Sequence, residues 1–102
     1  MILESAQLQI RPGQEAGFES AFREAQAIIS SMPGYRGHEL KRCIERAGQY
    51  ALLVRWESVE AHEIGFRQSA QYQDWKRLLH HFYDPFPTVL HYEAVPGTPA
   101  TC

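Results

Sequence analysis

The chain has no strong charge of either sign, only two cysteines and no long apolar run, and each shortage removes a class of function. Ten Lys and Arg against twelve Asp and Glu leave a formal net charge of −2 over 102 residues. That balance gives no electrostatic basis for binding nucleic acid or an anionic membrane. Lys41-Arg42 and Lys76-Arg77 are isolated pairs and read as solvated edges. Met1-Ile2-Leu3-Glu4 meets a charge at once, so neither a secretory signal nor a membrane span is expected. Cys43, within a strand reading, and Cys102, at the end, make no disulfide framework and suit a reducing cytoplasm. Cys43 reads as a small half-buried hydrophobe and Cys102 as a frayed terminus. Neither has a His at metal-ligand spacing, and His80-His81 stand about 100° apart on a helix, so no metal site is expected. No Gly-rich phosphate loop and no Ser-His-acid order is present.

What is present is the composition of an ordinary globule, 44% apolar and 22% charged, at a length that suits one domain. That domain is expected over residues 1–95, with a flexible tail over 96–102 that opens on Pro96-Gly97-Thr98-Pro99. Ile2 to Ile10 alternates as a strand, with Ile2, Ala6, Leu8 and Ile10 sharing a face with Glu4. After Pro12-Gly13, Glu15 to Ser31 carries Phe18, Phe22, Ala25 and Ile29 in one helical stripe. Met32-Pro33-Gly34-Tyr35 turns the chain into a second strand, Tyr35 to Glu45, with Leu40 and Ile44 beside His38 and Arg42 on one face. The turn Arg46-Ala47-Gly48-Gln49 leads into the strand Tyr50 to Glu57.

Ser58 reads as the N-cap of a helix bearing Val59, His62 and Phe66 on one stripe. Gly65 weakens that helix, and a break near Ser69-Ala70 precedes a second stripe of Tyr72, Trp75, Leu79 and Phe82. Asp84-Pro85-Phe86-Pro87 is a rigid loop, and Thr88 to Val95 closes the chain as a strand. The order βαββαβ is the ferredoxin-like α+β pattern: a four-stranded antiparallel sheet with both helices on one face. In it the strand Tyr50–Glu57 lies centrally, yet both of its faces are largely apolar: Tyr50, Leu52, Val54 and Trp56 on one, Ala51 and Leu53 beside Arg55 on the other. One small domain has no helix left for the second face, so a second copy of the chain is expected to cover it.

Pro33-Gly34-Tyr35, the run Tyr50-Ala51-Leu52-Leu53-Val54-Arg55-Trp56-Glu57-Ser58-Val59-Glu60-Ala61-His62, then Phe82-Tyr83-Asp84-Pro85 and His91-Tyr92 resemble the antibiotic biosynthesis monooxygenase-like family of dimeric α+β barrels. The resemblance covers nearly the whole chain and is most specific at the strand-Trp-Glu-Ser-helix junction. It implies two ferredoxin-like sheets packed face to face as a homodimer. It also implies oxidation of a small aromatic or quinol by molecular oxygen, with no bound cofactor. Haem-degrading relatives resemble a pattern of Asn, Trp and a ligating His where this chain has Ser5, Gly65 and Lys76, so haem chemistry is not implied.

For such chemistry the protein must bind a flat ring, remove a proton and stabilise the anion. His62, on an apolar stripe, is either a hydrogen-bonded core residue or the general base. Arg55 is either the anion's partner or part of the dimer seam. Trp56, Phe66, Trp75, Phe82 and Phe22 are either simple core or the walls of a site for a small aromatic molecule. The facing of His38 and His91 is open. Two further readings stand beside the oxygenase: a non-catalytic dimeric module that binds a small ligand, and an isomerase or decyclase of the same barrel family that moves protons without oxygen.

Overall fold

A computed structural model describes residues 1–99, and the reading of Cys102 as a frayed end lies outside them. Strand β1 (Ile2–Gln9), helix α1 (Glu15–Ser30), β2 (Tyr35–Arg42), β3 (Gln49–Trp56), α2 (Ala70–Leu79) and β4 (Val89–Tyr92) follow in chain order. The four strands form one sheet in the order β2-β3-β1-β4, every pair antiparallel. The ferredoxin-like architecture is therefore the one the element order implied, with β1 and β3 at the centre.

Alternation decides which residues meet the helices. Along β3, Tyr50, Leu52, Val54 and Trp56 are buried while Ala51 and Leu53 are half-buried and Arg55 is exposed. The helix side of β1 holds Glu4, Ala6 and Leu8, and Phe18, Phe22, Ala25 and Ile29 of α1 pack against the same core. Burying each Phe contributes about 2–3 kcal/mol. Among the described residues no helix is long and apolar enough to cross a membrane.

Two strands end differently from the sequence reading. Strand β2 ends at Arg42, so Ile44 lies in the turn, 94% exposed, and Cys43 sits just past the strand. The cause is the connection to β3: it runs from Cys43 to Gly48 rather than through a four-residue turn, and Cys43 N–H closes it by donating to the Gln49 carbonyl at 2.8 Å. Strand β4 is four residues, not Thr88 to Val95, because its pairing with β1 runs only from Ala6↔Val89 to Leu3↔Tyr92, one residue short of the start of β1.

Ser58 does cap a helix: its Oγ accepts the Ala61 N–H at 3.1 Å. That helix then widens into a π-helical turn, Ala61–Phe66, in which Arg67 N–H donates to the His62 carbonyl, five residues back, at 2.9 Å. Such widened turns collect at functional sites. Ser69 restarts the chain as the N-cap of α2, accepting from Tyr72 N–H at 3.2 Å.

Gly34 holds the start of this π-helical segment in place. Its φ is +85°, and a Cβ there would come within 2.7 Å of the Ala61 Cβ. Gly34→Ala is therefore expected to cost about 2–4 kcal/mol, the left-handed penalty plus the overpacking term. Chemical denaturation measures it, and a loss below about 1 kcal/mol would mean that the two segments separate easily.

Candidate active site

Four side chains from four elements meet on the helix side of the sheet. Glu4 of β1, 5% exposed, accepts the Trp56 indole N–H at its Oε1, 2.8 Å away. The Nε2 of His62 lies 3.4 Å from the same oxygen. The Nδ1 of His62 is hydrogen-bonded to Nε2 of His91 at 2.9 Å. Strand register brings the ends of this series together, since β1 pairs Glu4 with His91 of β4 and Ile2 with Trp56 of β3. The imidazole of His62 stacks on the Trp56 ring, centroids 5.4 Å apart and planes 25° apart, so its orientation is held by packing as well as by hydrogen bonds.

The remaining carboxylate oxygen of Glu4 has no protein partner among the described residues, although no buried side-chain polar atom there goes unsatisfied. Glu4 borders a cavity of about 40 Å³ between the sheet and α2, shared with His62, Phe66, Arg67, Tyr72 and Trp75. That space holds about one water molecule and no aromatic ring. Its outer lip includes Phe86, an exposed side chain on the loop after α2. Occupation by a ring therefore requires lining side chains to move.

Burial dominates the electrostatics. It pushes Glu4 up to about 7, against the Trp56 hydrogen bond and the charge of Arg67, which pull the other way. The same desolvation, with His91 and Arg67 adding repulsion, pushes His62 down to about 4. At neutral pH the imidazole is uncharged and weakly basic, while the carboxyl is poised to gain or lose its proton. Nearby, burial followed by the charges of Lys76 and Arg67 lowers His80 to about 4, and burial raises the Tyr83 hydroxyl above its ordinary range.

These shifts fix a sign for stability. Between 4.5 and 7 the folded chain keeps the Glu4 proton that the unfolded chain has released, so this contribution is present below about 4.5 and lost as pH rises toward 7. For His62 the folded value is depressed, so its contribution is present above 6.5 and lost as pH falls toward 4. Glu4→Gln isolates the carboxyl term. Relative to that variant, wild type is expected to lose on the order of 3 kcal/mol between pH 4.5 and 7.5, read by urea titration at each pH. Parallel curves for the two proteins would show that Glu4 ionises freely.

The candidates from sequence are thus divided. His62, Phe66 and Trp75 reach the cavity; Trp56 stands behind His62 and holds Glu4. Phe22 packs against Phe18 and Trp75, and Phe82 against Phe18, in the core beside α1. Arg55 is on the opposite face of the sheet, paired with Glu39 at 2.9 Å, so it cannot meet a molecule held by His62 within one protomer. The cation that does reach the cavity is Arg67. Sequence reasoning gave Glu4 and Arg67 no role and left the facing of His91 open. The available signal was Glu4 itself, a charge on the apolar side of an alternating strand, where a lone carboxylate is rarely left without a purpose. Among the described residues no three His, Cys, Asp or Glu side chains form a cluster suited to a metal ion. Glu4, His62 and His91 instead run in series.

Comparison with known proteins identifies the family and the fold. Residues 1–78 match the family model for antibiotic biosynthesis monooxygenases. The Bacillus subtilis protein YczJ, itself uncharacterised, is 54% identical over 95 residues, spanning 93% of this chain and 100% of YczJ. A crystal structure from Bordetella bronchiseptica, provisionally described as an antibiotic biosynthesis monooxygenase, is 37% identical with a TM-score of 0.89, covering 92% of this chain and 96% of that one. SnoaB, a cofactor-independent oxygenase from Streptomyces nogalater, shares the fold with a TM-score of 0.81 at 18% identity, each chain covered to 96%.

Proposed function

This chain belongs to the antibiotic biosynthesis monooxygenase family, and on that premise we propose that it is a homodimeric, cofactor-independent oxygenase of a small aromatic or quinol substrate. The observation that carries the reading is the buried Glu4 carboxyl, poised at about 7, on an aromatic-walled cavity with Arg67 beside it. Glu4 takes the acidic proton of a phenol or anthrone, His62 orients the carboxyl, and Arg67 offsets the charge of the resulting anion. Phe66, Tyr72 and Trp75 flank the ring. The electron-rich anion reduces oxygen directly. For an anthrone methylene, CH2 plus O2 gives C=O plus H2O, with the substrate as the only electron donor.

Oxygen uptake with a panel of hydroquinones and anthrones tests this. Turnover that consumes oxygen stoichiometrically supports it. Turnover in the absence of oxygen identifies the isomerase instead, a reading favoured by the fact that a carboxyl and an imidazole suffice for proton transfer. Binding of the panel without turnover identifies the ligand-binding module.

The second copy belongs on the face opposite the helices. There Leu3, Ala51 and Leu53 are half-buried and Leu90 and Tyr92 are each 52% exposed, an apolar strip flanked by Gln7, Gln9, Lys41 and the Arg55–Glu39 pair. The face is thus less uniformly apolar than β3 alone implied. A groove of about 360 Å³ beside it runs from Ser5 and Gln7 to Phe86 and Tyr92. Leu53→Asp places a charge at the centre of the strip and is expected to halve the mass in sedimentation. A wild type that already sediments as a monomer overturns the dimer.

A further inference from the structure

We propose that Glu4 exchanges its proton with solvent through His62 and His91, making the two histidines a proton relay to the buried carboxyl. The inference rests on the proposed function only for its purpose, because the relay itself is a property of the resting protein. When a ring fills the cavity, the opening on the α2 side is blocked by the substrate. What leads outward from Glu4 on the other side is the histidine series: His62 is 4% exposed, whereas His91 is only partly buried and lies on β4, an edge strand of the sheet.

The geometry supplies each contact. Glu4 Oε1 lies 3.4 Å from Nε2 of His62, a contact longer than an ordinary hydrogen bond, and the other nitrogen of the same ring is bonded to Nε2 of His91 at 2.9 Å. A neutral imidazole has one N–H and one lone pair, so it receives on one side as it gives on the other. With Glu4 protonated, His62 carries its hydrogen on Nδ1 and donates to Nε2 of His91, whose own hydrogen is on Nδ1. Ionisation breaks the Glu4 O–H bond and forms Nε2–H on His62. It breaks Nδ1–H on His62 and forms Nε2–H on His91. The Nδ1 proton of His91 then passes to water. One proton leaves, no electrons move, and both rings finish neutral in the opposite tautomer.

The groups around the series suit this traffic. Arg67 lies on the cavity side and favours the ionised carboxyl while disfavouring a cation on His62. Tyr83 and His80 face the same interior, Tyr83 held neutral by burial and His80 left uncharged for the same reason. Trp56 donates to Glu4 and cannot accept, so it anchors the carboxyl without joining the relay.

The test is titration of uniformly 13C,15N-labelled full-length protein by NMR, with no substrate present. The expected result is that the Glu4 carboxyl shift and the ring 15N shifts of His62 and His91 move together, both rings exchanging their protonated nitrogen as Glu4 ionises. In Glu4→Gln neither ring changes tautomer over the same range, and in His91→Phe the Glu4 carboxyl titrates while His62 no longer follows. Rings whose tautomers stay fixed while Glu4 titrates in wild type overturn the relay. That failure leaves the oxygenase reading intact, because oxygen uptake is measured separately. Conversely, a protein inert toward the substrate panel still shows the coupled titration if the relay exists.

Discussion

Trp56→Ala is expected to lower the unfolding free energy by about 3–5 kcal/mol, the range for emptying a large aromatic site in a packed core. The side chain is 0% exposed, packs edge-on to Tyr35 and stacks on both His62 and Phe66, so three elements lose contact at once. For a domain of this size the melting temperature should fall on the order of 15–30 °C. Removing the indole also deprives Glu4 of its hydrogen-bond donor. Trp56→Phe separates the two effects, since it keeps much of the packing and deletes the N–H. That variant should lose only about 1–2 kcal/mol, and because the indole bond holds the carboxyl down, Glu4 should titrate still higher than in wild type. Calorimetry and carboxyl 13C shifts read the pair. Equal losses for both variants would mean that the hydrogen bond, not the ring volume, is what the core needs.

The second large effect is on turnover. Once a substrate from the oxygen-uptake panel is in hand, Glu4→Gln should reduce kcat/KM by about 10²–10⁴, the usual worth of a positioned general base. Wild type should gain activity as pH rises through about 7, where Glu4 loses its proton, and the limb should vanish in the variant. His62→Ala should cost less, because the imidazole orients and connects rather than abstracts. If His62→Ala instead matches Glu4→Gln and both abolish the limb, the imidazole is the base and the carboxyl its support. Turnover unchanged in both variants would move the reaction away from this cavity altogether.

Much of this arrangement can be read along the chain, and the exceptions share a cause. The stripe Phe18, Phe22, Ala25 and Ile29 is buried in full because helical periodicity is a property of neighbouring residues. The Ser58 cap, the break before Ala70 and the inward aim of His62 follow from residues within a few positions of each other. Arg55 is different. Alternation already put it on the face away from Trp56, but joining it to His62 needed knowledge of which face the helices cover at that point. His91 is the clearest case. The residues around it leave its facing open, and only the pairing of β4 with β1 places it opposite Glu4.

Sequence alone therefore determined the element order, the core stripes and the family, since all of these are written in local spacing and side-chain chemistry. Only the tertiary structure decided that Glu4, His62 and His91 stand in series, with Arg67 lining the same cavity and Arg55 across the sheet. The reason is physical: hydrogen bonds and desolvation act through space over a few ångströms, and residues 4, 62 and 91 come within that range only after the sheet has closed.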